Sequence, residues 1–205
     1  MGRDGIVGTA APGSRLMRPL PIGTRPMATT AKTKARKTST RAATKAAAAP
    51  RTAGPDAISL LIADHREVDD YFDQYETLTD DAAKKALADK ICLALKVHAQ
   101  IEEEFFYPPA REETGDGDLI DEAIVEHMGA KTLIAQIEAG APGQPLYDAK
   151  VKVLGEQVRH HVKEEEEELF PEVRQTKIDL DALGARLAAR KAELMALLAV
   201  PPVLA

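Results

Sequence analysis

The chain has a single cysteine, Cys92, no tryptophan, and only four tyrosines and four phenylalanines among its 205 residues. One thiol excludes an intramolecular disulfide and suits a reducing cytosol. With so few aromatic residues, the composition is dominated by Ala, Leu, Glu and Lys, a mixture that favours helices. Long apolar runs are missing too: no stretch approaches the roughly 18–20 residues needed to cross a bilayer. The opening MGRDGIVGTAAPGSRLMRPLPIG is interrupted by Gly and Pro and lacks the continuous apolar centre of a signal peptide. These absences point to a cytoplasmic protein with no membrane partner.

The net charge of −6 conceals two unlike segments. Up to Pro55 there are eleven Lys or Arg and one acid, Asp4, a balance of +10; the remainder has 16 basic and 32 acidic residues, a balance of −16. Within the first segment, Met27–Pro55 is low in complexity and nearly free of large apolar side chains. It cannot bury enough surface to offset chain entropy, so residues 1–54 are expected to be a disordered basic tail. Such a tail can touch nucleic acid weakly through phosphate contacts, or act only as a solubilising arm.

After Pro55 the apolar residues take helical spacing. Helices are expected over about 56–78, 80–107 (stopped by Pro108-Pro109), 118–139, 146–173 and 180–198. Four rods of similar length joined by short links predict an all-α, up-down-up-down four-helix bundle over residues 55–175. The fifth helix, within residues 176–200, is an accessory.

Five histidines are present: His65, His98, His127, His160 and His161. One falls on the apolar stripe of each of the first three helices, and the fourth helix carries the adjacent pair. A lone histidine on an apolar face is usually a satisfied core residue; one per helix around a common interior is harder to explain without a ligand. HAQIEEEFFYP (98–108) and HVKEEEEELFP (161–171) repeat His, a run of Glu, an aromatic and Pro. Asp64-His65 is echoed by Glu126-His127, so the first helical hairpin looks duplicated as the second. The matching distance to proline selects His161 over His160. Residues i and i+4 share a helix face, which sets Glu102 beside His98 and Glu165 beside His161. The remaining acids, Glu103, Glu104, Glu164, Glu166, Glu167 and Glu168, read as a solvated face.

Four imidazoles and two carboxylates without thiolate suit iron, with manganese or zinc less favoured. They are too many for one tetrahedral ion and suit two ions: His65 and His98 on one, His127 and His161 on the other, bridged by Glu102 and Glu165. The motifs HREVDDYF, HAQIEEEFFYP, EHMGAKTL and HHVKEEEEELFP, taken in order, resemble those of the hemerythrin-like, or HHE cation-binding, domain. The resemblance covers about residues 56–173 and implies a non-haem di-iron centre that binds or senses O2 or reacts with peroxide. Two departures stand out. Lys131 occupies the position of a second histidine in oxygen-carrying members, and the last His–carboxylate spacing is four rather than five. Fewer protein ligands favour redox chemistry or sensing over reversible carriage. Lys131 is expected at the surface, Tyr107 as a capping aromatic under Pro108 or else as a hydrogen-bond donor or radical partner near the site, and Cys92 in the core. The function expected first is binding or sensing of O2 or a related small ligand. The alternatives are a di-iron oxidase or peroxidase acting on hydrogen peroxide and a nucleic-acid-associated protein working through the basic tail.

Overall fold

The structure is a computed structural model and describes residues 54–198. The expectations of a disordered tail over residues 1–53 and of fraying at the last residues lie outside the described residues. Four antiparallel rods form the bundle. Helix α1 is Ala57–Thr77, and the second rod runs unbroken through α2 (Asp81–Ile101), a π-helical turn (Glu102–Phe106) and α3 (Tyr107–Thr114). Helix α4 (Gly117–Glu138) is the third rod. The fourth joins α5 (Tyr147–Glu164), a second π-helical turn (Glu165–Leu169) and α6 (Phe170–Val173). Helix α7 (Leu180–Leu198) lies along α1 and α2.

Local chemistry sets the ends. Asp56, Asp80 and Asp116 each cap a helix by accepting from the backbone N–H three residues on, at 2.8, 2.8 and 3.2 Å, satisfying donors that have no intrahelical partner. Gly115 closes α3 in the left-handed conformation (φ 75°), which glycine adopts without a Cβ penalty. Gly184 is required for a different reason: a Cβ there would stand 2.5 Å from the Pro55 carbonyl oxygen and 2.7 Å from Ala57 N. Only glycine lets α7 dock against the start of α1.

The second rod departs from the sequence expectation. Pro108-Pro109 do not stop it; the helix continues to Thr114. A proline inside an α-helix removes one N–H and presses its ring on the carbonyl four residues back. The π turn widens the helix immediately before, so that the Tyr107 N–H bonds back to the Glu102 carbonyl, and the prolines then sit in the first turn of α3. The fourth rod repeats the device, with the Phe170 N–H on the Glu165 carbonyl ahead of Pro171. The extra residue also moves the inward face by one: Phe106 and Tyr107 are buried, whereas Phe105 is half-buried.

Two apolar layers result. One gathers Ile58, Leu61, Val97, Ile101, Phe106, Ile120, Leu169 and Phe170 with α7 residues Leu183, Leu187 and Leu194. The other gathers Val68, Phe72, Ile91, Cys92, Leu95, Ile134, Ile137, Val151 and Leu154. Cys92 is therefore core, and burial pushes its thiol up to about 12. On every rod the residues between these layers are the histidines. Among the described residues, no helix is long and apolar enough to cross a membrane.

Candidate metal centre

Between the apolar layers the bundle buries a set of polar side chains: Asp64, His65, His98, Glu102, His127, His161 and Glu165. Each rod supplies one histidine, and the second and fourth add a glutamate one turn further on. All six side chains singled out by spacing are brought together. His65 Nε2 lies 3.1 Å from His98 Nε2, and His127 Nε2 lies 3.2 Å from His161 Nε2. His160, the rejected member of the pair, is exposed.

The two glutamates lie between these pairs. Glu102 presents Oε1 to His98 Nε2 at 3.1 Å and Oε2 to His127 Nε2 at 3.5 Å, one oxygen to each half. Glu165 presents a single oxygen, Oε2, to both halves, 3.4 Å from His65 Nε2 and 3.5 Å from His161 Nε2. Two sets of converging donors follow, His65–His98–Glu102–Glu165 and Glu102–His127–His161.

Carboxylates outside this cluster orient the imidazoles. Glu166 stands 2.9 Å from His65 Nδ1, Glu103 2.9 Å from His127 Nδ1, and Glu126 2.8 Å from His161 Nδ1. Asp64 Oδ2 faces His98 Nδ1 at 3.6 Å. An ionised carboxylate can only accept, so in the neutral ring Nδ1 carries the proton and Nε2 turns its lone pair inward. Glu103 and Glu166 thus do not belong to a solvated face. Glu103 accepts from His127 and is bridged by exposed Lys131 at 2.6 and 2.7 Å; these partners hold its carboxyl down at about 2. Glu166 accepts from Arg66 at 2.6 Å.

Tyr107 was expected by default as a capping aromatic, with a hydrogen-bond donor or radical partner near the site as the alternative. Its hydroxyl donates to Glu165 Oε1 at 2.9 Å and lies 3.4 Å from His127 Nε2. Burial, then the charges of Glu102 and Glu165, raise its pKa well above the usual phenol value, so it keeps its proton. Five residues along an α-helix carry a side chain about 140° past one full turn, and the wider π turn takes up most of that excess. The π turn is what stacks Tyr107 over Glu102, and the only sequence signal for it was a proline pair inside a helical pattern.

The electrostatics ask for a cation. Glu102 Oε1 and Oε2 and Glu165 Oε2 are buried and accept no hydrogen bond from the protein, a costly state for an ionised group. Protons answer part of this. Burial alone would depress His98, but Glu102 and Asp64 outweigh it and push the imidazole up to about 10. His161 is raised in the same way, against burial, by Glu165 and Glu126. Glu165, which burial would raise, is drawn down to about 2 by His161 and His65. A proton shared between imidazole and carboxylate satisfies one pair at a time; two divalent ions satisfy every inward-facing lone pair together. The donor set fits metal.

A cavity of about 40 Å³ is lined by all four imidazoles and by Val68, Leu95, Ala130, Ile134 and Val158, with Lys131 and Gln157 also contributing to its wall.

A model of the hemerythrin HHE cation binding domain matches residues 56–173. A DNA nickase of Nostoc sp. (strain PCC 7120 / SAG 25.82 / UTEX 2576) is 33% identical over 111 residues, covering 54% of this chain and 31% of that protein. The chain therefore spans about a third of the length of that relative. The crystal structure of a hemerythrin HHE cation binding domain-containing protein from Mycobacterium kansasii aligns with a TM-score of 0.61 at 22% identity, covering 70% of this chain and 89% of that one. At that identity the likeness is one of fold.

Proposed function

Since the chain belongs to the hemerythrin HHE cation binding family, and so is a metal-binding, hemerythrin-like protein, we propose that its centre holds two iron ions and that the pair binds or senses O2 or a related small ligand. His65 and His98 would hold one ion and His127 and His161 the other, with Glu102 and Glu165 bridging. A bound iron pair supplies open, redox-active positions for a small oxygen ligand. Iron is preferred to manganese or zinc because imidazole and carboxylate are balanced and no thiolate is present.

The cavity carries this reading. At about 40 Å³ it has room for about three bodies the size of water, enough for O2 or peroxide and too little for an organic substrate. Its aliphatic walls disfavour ordered water and tolerate an apolar diatomic. Lys131 pairs with Glu103 at the surface, so the position of the second histidine in oxygen carriers adds no inward ligand. Metal analysis together with an optical spectrum of the purified protein tests the reading: two irons per chain and an azide-sensitive oxygen adduct support it, and a protein that takes up no iron overturns it.

Tyr107 favours a second reading, a di-iron enzyme acting on hydrogen peroxide. Its hydroxyl retains a proton beside Glu165 and His127 and can donate to an oxygen atom bound there. Sustained peroxide consumption by the iron-loaded protein, with no stable oxygen adduct, would select this reading over the first.

A nucleic-acid role is supported by the +10 balance of the segment up to Pro55 and by the likeness to a DNA nickase. Salt-sensitive retention on DNA that disappears when residues 1–54 are deleted would establish it, and retention unaffected by that deletion would refute it.

A further inference from the structure

Outside the buried centre, one further group of metal-ligating side chains converges among the described residues: Glu126 on α4 with His160 and Glu164 on α5. His160 Nε2 lies 3.5 Å from Glu126 Oε1 and 3.3 Å from Glu164 Oε1. The imidazole is exposed and the two carboxylates are partly covered. Glu126 faces both ways, since its other oxygen, Oε2, accepts from His161 Nδ1 at 2.8 Å. A crevice of about 10 Å³ is lined by Glu126 and Glu164 of this group together with His161 and Glu165 of the buried centre and the aliphatic Leu119, Ala123 and Leu169. Glu165 is 2% exposed, and its Oε2 accepts no hydrogen bond. An unpartnered buried carboxylate thus lines the same small crevice as the two acids of a surface His–Glu–Glu group.

The duplicated hairpin serves as an internal control. The counterparts of His160 and Glu164 in the first half are Val97, one residue before His98, and Ile101, three after it. Both are fully buried in the layer that α7 covers. The counterpart of Glu126 is Asp64, whose Oδ1 accepts from Lys191 Nζ of α7 at 2.5 Å. Arg190 of α7 pairs with Glu104, and Arg186 lies over the Phe105 ring. One flank of the centre is therefore sealed by aliphatic side chains and cations, which repel a metal ion. The opposite flank is open, anionic and supplied with an imidazole.

We propose that Glu126, His160 and Glu164 form a surface capture site for divalent iron that delivers the ion through the crevice to the buried centre; this rests on the metal-centre reading above. Concentrating cations at a single portal speeds loading without changing what is finally bound. The test uses the full chain stripped of metal and cobalt(II) as an air-stable probe, with stopped-flow absorbance reporting its arrival at the buried donors. His160→Ala/Glu164→Gln, which spares Glu126 and every buried donor, is expected to load about ten-fold more slowly and to reach the same final stoichiometry as the wild type. Glu112→Gln/Glu113→Gln, which removes two acids, one more than the first variant, from the exposed face of α3, is expected to load at the wild-type rate. A wild-type rate in the first variant overturns the proposal, as does equal slowing in the second, which would make the effect one of bulk charge. A lower final stoichiometry in the first variant also overturns it, since His160 or Glu164 would then belong to the centre itself. A wild-type protein that takes up no cobalt at the buried donors defeats the metal-centre reading and this proposal together.

Discussion

The Tyr107 hydroxyl donates to Glu165 Oε1 at 2.9 Å, on one side only of a site that is otherwise duplicated. At the matching position of the second half stands Phe170, which lacks a hydroxyl and stacks on His65 with ring centroids 5.8 Å apart and planes 9° from parallel. The histidines and glutamates are paired across the two halves, but the proton donor is not. Tyr107 occupies one oxygen of Glu165 and leaves Oε2 as the oxygen facing both histidine pairs, whereas Glu102 divides its two oxygens between them.

Tyr107→Phe should keep the ring packing and the metal content while removing that hydrogen bond. Losing a buried bond to a charged acceptor costs about 1.5–3 kcal/mol, and the loss should appear as a lower melting temperature of the metal-free protein. Metal analysis should still return the wild-type stoichiometry; a fall to one ion would mean that Tyr107 is needed to hold Glu165 in place.

Glu103→Gln and Glu104→Gln separate an acid that orients a ligand from one that does not. Glu103 accepts from His127 Nδ1, and removing such a partner lowers metal affinity by about 10–100-fold. Glu104 pairs with Arg190 on the surface, so its variant should bind metal like the wild type. Competition with a chelator of known affinity measures both.

His161→Ala should lose at least one ion per chain, while His160→Ala should retain the full complement at equilibrium. The reason is position: His161 Nε2 faces His127 Nε2 at 3.2 Å inside the bundle, and the His160 ring is 61% exposed. Loss of the buried ions on changing His160 rather than His161 would reverse the register.

The metal-free and metal-loaded proteins should respond to pH in opposite ways. His98 has a folded pKa of about 10, raised above the ordinary imidazole value of 6.5. Its contribution to stability is complete below about pH 6.5 and is lost as pH rises through 10. Glu165, lowered from 4.5 to about 2, contributes fully above about pH 4.5, and that contribution is lost as pH falls through 2. The metal-free bundle should therefore be most stable between about pH 4.5 and 6.5 and melt at lower temperature near pH 10. Metal must displace the His98 proton, so the stabilisation that iron adds should grow as pH rises from 5 to 8. Melting curves at several pH values, with and without metal, show both trends; an added stabilisation that shrinks with rising pH would contradict this account.

Much of the architecture was legible along the chain because it rests on local rules. Apolar spacing marked the rods, and Asp56 and Asp80 marked the starts of the first two. The duplicated His-plus-Glu motif picked out the six side chains that converge, since i and i+4 share a face of any α-helix. What depends on the partner rod was not legible. Glu103 and Glu166 look like any members of an acidic run until the facing helix brings His127 and His65 to them. Tyr107 lies off the α-helical stripe, and only the π turn, stabilised by tertiary packing around the proline pair, turns it onto Glu165. Which flank of the centre is closed was likewise decided by the docking of α7 through Gly184 and Lys191. The sequence by itself determined which groups could reach the interior; the tertiary structure decided which carboxylate holds each imidazole and where protons and ions can enter, because both depend on distances between chain segments that periodicity within one segment does not encode.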